Sequence, residues 1–168
     1  MCFVLVDAIN RLTNAMNEYR ITKYNPEKRN EFGHYTHSQE WTSFSEIGKN
    51  VSLEEYLAVE CAYIKSAIEF LQYSNVCSLR VSGLEDSSHQ SHVQEGEIIP
   101  IEHLEPVLRA LLREEFWCRL EAVDGFIHVG WDYYMYVGVI KGDELAISKA
   151  TNRGLFVEDF VSPYHARD

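Results

Sequence analysis

The chain has 168 residues, 46% of them hydrophobic and 12% aromatic, which suffices for one ordinary globular core. With 26 acidic residues against 15 basic ones the formal charge is −11, and the field repels phosphate backbones, so nucleic-acid binding is not expected. No stretch approaches the roughly 20 apolar residues of a membrane span, and MCFVLVDAIN lacks the basic start of a signal peptide, so a cytoplasmic protein not associated with membranes is expected.

Leu5, Ile9, Leu12, Met16 and Tyr19 recur at spacings of four and three, which predicts a helix at the start, although Val4 and Val6 leave a strand open. Residues 25–50 are rich in polar residues but carry Tyr35, Trp41 and Phe44, and they read as a long ordered loop that packs on the domain surface. Ser52 followed by Glu55 is a capping-box pattern and introduces the clearest helix, LEEYLAVECAYIKSAIEFLQ, with Leu53, Leu57, Ile64, Ile68 and Leu71 in a stripe. A short strand is expected at 76–81, then a polar loop at 84–99. After Pro100 a second helix runs to about Glu115, with Pro106 within or near its first turn, where the missing N–H costs least. Residues 144–151 are ambiguous, and GLFVEDF suggests a last strand. The pattern as a whole predicts a single α+β domain over 1–168, with helices packed on one face of a mainly antiparallel sheet.

Asp124-Gly125 is a strong hairpin signal, and as a two-residue turn it pairs Val123 with Phe126, Glu121 with His128 and Leu120 with Val129. Alternation along HVGWDYYMYVG, taken as one strand, then sorts two faces. One is core: Cys118, Leu120, Ile127, Val129, Tyr133, Met135, Val137. The other holds Trp117, Arg119, Glu121, His128, Gly130, Asp132, Tyr134 and Tyr136, and any function of this motif sits there. Along a continuous strand His128 and Asp132 stand roughly 13 Å apart, too far for a base and its orienting carboxylate. Glu121 with His128 and Arg119 with Asp132 remain as cross-strand pairs. A solvated or helix-covered face with charge pairs is the plainer explanation of these residues. Against it, Trp117, Tyr134 and Tyr136 are costly to leave in water and typical of binding faces.

Charge is uneven. Residues 50–108 hold ten acids against Lys65 and Arg80, and no Lys or Arg lies between Val81 and Leu108, where Glu85, Asp86, Glu95, Glu97, Glu102 and Glu105 accumulate. That region attracts a cationic partner, although acidity also serves solubility alone. The four cysteines, Cys2, Cys61, Cys77 and Cys118, have no zinc-like spacing and are expected as reduced thiols. His34-x-x-His37 and His89-x-x-His92 are each half a metal site with no third ligand at useful spacing, so no metal and no cofactor is expected. Nucleophile elbows, Walker loops and dinucleotide fingerprints are missing from the sequence, which weakens an enzyme reading.

Taken in order, NPEKRNEFG, EWTSFSEIGK, EEYLAVECAYIKSAI, LREEFWCRL, HVGWDYYMYVG and GLFVEDFVSPY resemble a set of blocks in a group of small bacterial proteins. That group is similar to the immunity proteins of polymorphic and contact-dependent toxin systems. The resemblance covers most of the chain and carries no catalytic motif. It implies a cytoplasmic protein that neutralises a basic toxin, for example a nuclease, in agreement with the acidity. The expected binding residues are Glu85, Asp86, Glu95 and Glu97 of the acidic region, and Trp117, Arg119, Glu121, His128, Asp132, Tyr134 and Tyr136 of the sheet face. The rival expectation is a small-molecule or enzyme pocket beside Asp132, Tyr134 and Tyr136.

Overall fold

A computed structural model of the chain describes residues 16–32, 35–36, 40–87, 89, 91–130 and 133–166. Seven strands form one antiparallel sheet: β1 (Asn17–Thr22), β2 (Ser78–Glu85), β3 (Ile98–Pro100), β4 (Trp117–Glu121), β5 (Gly125–Val129), β6 (Tyr134–Val139) and β7 (Phe156–Asp159). Their order across the sheet is β3-β2-β4-β5-β6-β1-β7. Among the described residues three α-helices accompany them, α1 (Leu53–Tyr73), α2 (Leu104–Leu112) and α3 (Glu144–Asn152), so the chain is a mixed α+β domain.

α1 begins where the sequence says it should. The Ser52 hydroxyl accepts the Glu55 N–H at 3.1 Å, and Glu54 and Glu55 face the positive end of the helix dipole. It ends at Ser74, after which Asn75 turns left-handed at φ 59°. α2 is entered through a 3-10 turn at Ile101–His103 and places Pro106 in its first turn. α3, left ambiguous by the sequence, is capped by Asp143, whose carboxylate accepts the Leu145 N–H at 2.7 Å. Of the expected first helix, residues 1–15 lie outside the described residues, whereas Tyr19 sits inside strand β1, so its place in a helical stripe is corrected.

The turn between β4 and β5 differs from the expected one. Leu120 pairs with Ile127 and Glu121 with Phe126, two residues out of the predicted register, and the hairpin closes with Ala122 N–H donating to the Gly125 carbonyl at 2.7 Å. Val123 and Asp124 are therefore the turn residues, and Val123 is 94% exposed. Gly125 serves close approach instead: a Cβ there would stand 2.9 Å from a Val76 methyl and 3.2 Å from a Leu71 methyl, where the end of α1 meets the sheet. HVGWDYYMYVG is also not one strand. It is the β5–β6 hairpin, in which His128 lies opposite Tyr136 and Val129 opposite Met135. The first departure shifts the pairing by two residues and the second sets odd-numbered positions opposite odd-numbered ones, so the described side chains of β4, β5 and β6 keep their predicted faces.

On one face Ile21, Leu79, Val81, Cys118, Leu120, Ile127, Met135 and Val137 are buried in the main core. α1 packs on this side, as the Tyr19–Phe70 ring contact at 5.2 Å shows, and α2 and α3 both pack on α1. At one end of the sheet the loop aromatics join in: Trp41 is buried and packs on Tyr56 and Tyr133, as expected for an ordered loop. The Tyr133 hydroxyl donates to that of Tyr56, and the Tyr63 hydroxyl donates to the Tyr133 carbonyl at 2.6 Å. Burial pushes the Tyr56 hydroxyl up to about 12. One turn on, the fully buried Glu60 carboxylate receives Arg113 at 2.7 and 3.0 Å and Arg109 at 2.7 Å, which ties α2 to α1. Arg153 makes two similar bonds to Glu69, at 2.7 and 2.8 Å, and ties the end of α3 to the same helix.

Candidate functional site

The second face of the sheet carries Glu18 and Arg20 from β1, Trp117, Arg119 and Glu121 from β4, Phe126 and His128 from β5, and Tyr134, Tyr136 and Gly138 from β6. The structure brings six of the seven sequence-predicted sheet residues onto this face. Asp132 lies outside the described residues. The face is not open to solvent at its centre. After β7 the chain turns back, and residues 160–166 lie over β5 and β6, with Phe160 and Tyr164 against Tyr136 at 5.9 and 5.7 Å and Tyr164 against Trp117 at 5.7 Å. Tyr136 and Phe126 are consequently buried, at 7% and 3% exposure.

His128 is the centre of the arrangement. It is fully buried, stacks on Phe126 at 4.3 Å, and meets the edge of His165 at 5.4 Å. Its Nε2 lies 3.3 Å from the Glu121 carboxylate, which sits diagonally across the hairpin instead of directly opposite as the sequence suggested, and its Nδ1 lies 2.7 Å from the Ser162 hydroxyl. A carboxylate can only accept, so Nε2 carries the proton and Nδ1 accepts from Ser162. Burial, with help from His165 and Arg119, pushes the His128 imidazole down to about 3, so it is neutral at ordinary pH. The stack is possible because position 138 is glycine: a Cβ there would stand 2.0 Å from the Phe126 ring.

Ser162, His128 and Glu121 form a hydrogen-bonded row of the kind that activates a serine nucleophile. As folded the row closes a strap. Ser162 is 3% exposed and its oxygen also accepts the Tyr164 N–H at 3.2 Å, while the Glu18 carboxylate accepts the Ser162 N–H at 2.8 Å and contacts His165 at 2.9 Å. These bonds hold residues 160–166 against the face.

The remaining predicted sheet residues have local duties. Trp117 donates its indole N–H to the Val129 carbonyl at 2.8 Å, and Arg119 reaches Ser82 at 3.3 Å and Glu121 at 3.6 Å. Tyr134 is half-buried against Tyr24, with the Arg20 guanidinium 5.2 Å from its ring. Arg20 itself lies 4.0 Å from the Phe160 ring and shares Glu158 with Arg29, whose hydrogen bonds hold the Glu158 carboxyl below the usual range.

The acidic region forms a separate surface along the β3 edge. β2 carries a bulge between Ser82 and Glu85, and the Glu95 carboxylate accepts the Gly83 and Leu84 N–H groups there, at 3.2 and 2.7 Å. Asp86 accepts from Ser91 N–H at 3.0 Å, and Glu97 from Gln94 N–H at 2.8 Å. Arg80 donates to the Gly96 carbonyl at 2.8 Å. Glu85, Glu95 and Glu97 are exposed, and beside Glu97 on the edge strand Ile98 is 56% exposed.

His34 and His37 lie outside the described residues. His89 is exposed, and His92 packs on Phe116 at 5.6 Å. Among the described residues no group of three or more His, Cys, Asp and Glu is placed to hold a metal ion, and no helix is long and apolar enough to cross a membrane. Cys61, Cys77 and Cys118 are free thiols, and burial pushes the Cys118 thiol up to about 12. Sequence reasoning missed Ser162, Tyr164 and His165, because the segment ending in SPYH has neither periodicity nor a motif, and Glu18 and Phe126, because they meet Ser162 and His165 of that segment. Comparison with protein-family models, curated proteins and solved structures finds no match for the chain.

Proposed function

We propose that the protein is an acidic protein-binding module that captures a basic partner and neutralises it in the manner of an immunity protein, with a basic toxin such as a nuclease as its target. The observation that carries this reading is the β3 edge, where Glu97, its carboxylate held by the Gln94 N–H, precedes the exposed Ile98, and Glu95 is held by backbone N–H groups at the neighbouring β2 bulge, with Arg80 as the strand partner of Ile98. Fixed carboxylates speed encounter with a cationic surface, and a bare aliphatic anchor on a strand edge supplies affinity. Cytoplasmic residence with reduced thiols belongs to the same proposal.

The test is affinity capture from a lysate of the source organism, washed at rising salt, with the wild-type chain beside Glu85→Gln/Glu97→Gln and Ile98→Asp variants. One stoichiometric basic protein, released earlier from both variants, supports the reading. Equal retention by all three chains, or no basic protein while a candidate toxin is expressed, removes it.

A second reading, a small-molecule site or hydrolase beside Asp132, Tyr134 and Tyr136, draws support from the Ser162–His128–Glu121 row. It requires residues 160–166 to move aside. Labelling by a fluorophosphonate that is lost in Ser162→Ala would favour it, and no labelling would sink it.

A further inference from the structure

A groove of about 400 Å³ runs along the outward side of α1, between α2 and the end of α3. Its floor is aliphatic, with Ile64 buried and Ile68 half-buried. From Cys61 to Gln72 it follows twelve residues of helix, about 16 Å at about 1.5 Å per step. The volume lies within the usual range for small-ligand sites.

The charges on the walls set this groove apart in a strongly acidic protein. Three cations, Lys65, Arg109 and Arg153, face two carboxylates, Glu69 and Glu105. Arg109 is held by Glu60 and Glu105 and Arg153 by Glu69, so both guanidinium groups are fixed and largely offset. Lys65 is exposed and, among the described residues, makes no ion pair. Two other clefts carry carboxylates and no Lys or Arg: one is lined by Glu18 and Asp159, the other by Glu95 and Glu97.

We propose that this groove binds a medium-chain aliphatic carboxylate as the free acid. With Arg109 and Arg153 offset by their carboxylates, the single exposed ammonium of Lys65 suits a monoanion better than a phosphate dianion. An aliphatic floor without an aromatic ring suits a hydrocarbon chain better than a planar base. The carboxylate meets Lys65, with the fixed Arg109 and Arg153 on either side, and the chain lies along Ile64 and Ile68. The site stands apart from the β3 edge, and either can exist without the other.

The probe is decanoate, titrated into the full chain by amide NMR, with decanol as the uncharged control. Saturable shifts along α1 and at Arg153 are expected, weaker with decanol and at high salt. Lys65→Gln, a change at an exposed position, is expected to weaken binding on the order of fivefold, and Lys65→Arg to restore it. Equal response to decanol and decanoate, or no change in Lys65→Gln, overturns the proposal. So do shifts from anionic vesicles without any from decanoate. A groove filled by residues 1–15 or by a second copy of the chain would give no decanoate shifts, and that result also overturns it.

Discussion

On one side of the sheet Tyr19, Leu120, Ile127 and Val137 belong to a continuous core that α1 closes, and Leu71 comes down on Gly125. On the other side Phe126, His128 and Tyr136 are closed by the chain's own residues 160–166, through rings and hydrogen bonds to Glu18, Glu121 and Ser162. The α1 side, aliphatic where Leu71 and Val76 meet Gly125, is sealed chiefly by buried area. The aromatic side is sealed by a few directional contacts around a buried titratable ring. A small polar core of this kind depends on each partner being in place, because an unpaired buried group costs more than its bond contributes.

Truncation after Asp159 should separate the two sides most clearly. It uncovers Phe126, His128 and Tyr136 while leaving α1 in place, and should cost about 3–5 kcal/mol in urea unfolding and raise binding of an apolar dye. A chain equally stable without the segment would break the comparison.

The pH response follows from His128. Its folded value of about 3 lies below the roughly 6.5 of an unfolded histidine, so its contribution is fully present above pH ~6.5 and is lost as pH falls toward ~3, because only the unfolded chain takes up the proton. The expected slope is about 1.4 kcal/mol per pH unit across that window, and His128→Asn should remove it. Glu121, Ser162, His165, Phe126 and Arg119 surround the ring and define the background against which the slope is read.

Two glycines offer a matched pair. Gly138→Ala drives a Cβ into the Phe126 ring at 2.0 Å and should cost about 2–3 kcal/mol together with loss of the Phe126–His128 stack. Gly125→Ala meets a Val76 methyl at 2.9 Å and, at 3.2 Å, both a Leu71 methyl and the Gly138 carbonyl oxygen, and should cost about 1–2 kcal/mol. Thermal or urea denaturation of both variants ranks them, and the reverse order would mean that the aromatic side yields more easily than the aliphatic one.

The smallest effect is expected from Glu18→Gln. It keeps a side-chain acceptor for the Ser162 N–H but removes the charge facing His165, and should cost about 0.5–1 kcal/mol, with faster amide exchange confined to 160–166.

Much of this was legible in the sequence. Ser52 and Glu55 mark the start of α1 because a helix N-terminus needs an acceptor there, and Tyr56, Tyr63 and Phe70 repeat on the face it buries. The division of Trp117, Arg119, Glu121, His128, Tyr134 and Tyr136 from Leu120, Ile127, Val129, Met135 and Val137 survived two errors of connection, because both kept the parity of the alternation across the strands. α3 was illegible because its buried positions are Ala146 and Ala150, while Leu145 is 51% exposed and Ile147 only partly buried. The candidate site was half legible. His128 and Glu121 could be placed on one face, but nothing in SPYH announces that Ser162 closes on the ring.

The sequence by itself therefore determined the local and periodic features: the caps, the helical stripes, the two faces and the charge imbalance along the chain. Each depends on residues within a few positions of one another. Only the tertiary structure decided that Gly125 serves contact and not a turn, that Glu60 anchors two arginines, and that the tyrosine face is a second core under residues 160–166. Those outcomes join distant positions, such as His128 with Ser162, 34 residues apart, and Glu18 with Ser162, 144 apart. Distant side chains become neighbours only once the sheet exists to bring them together, and no local pattern encodes that meeting.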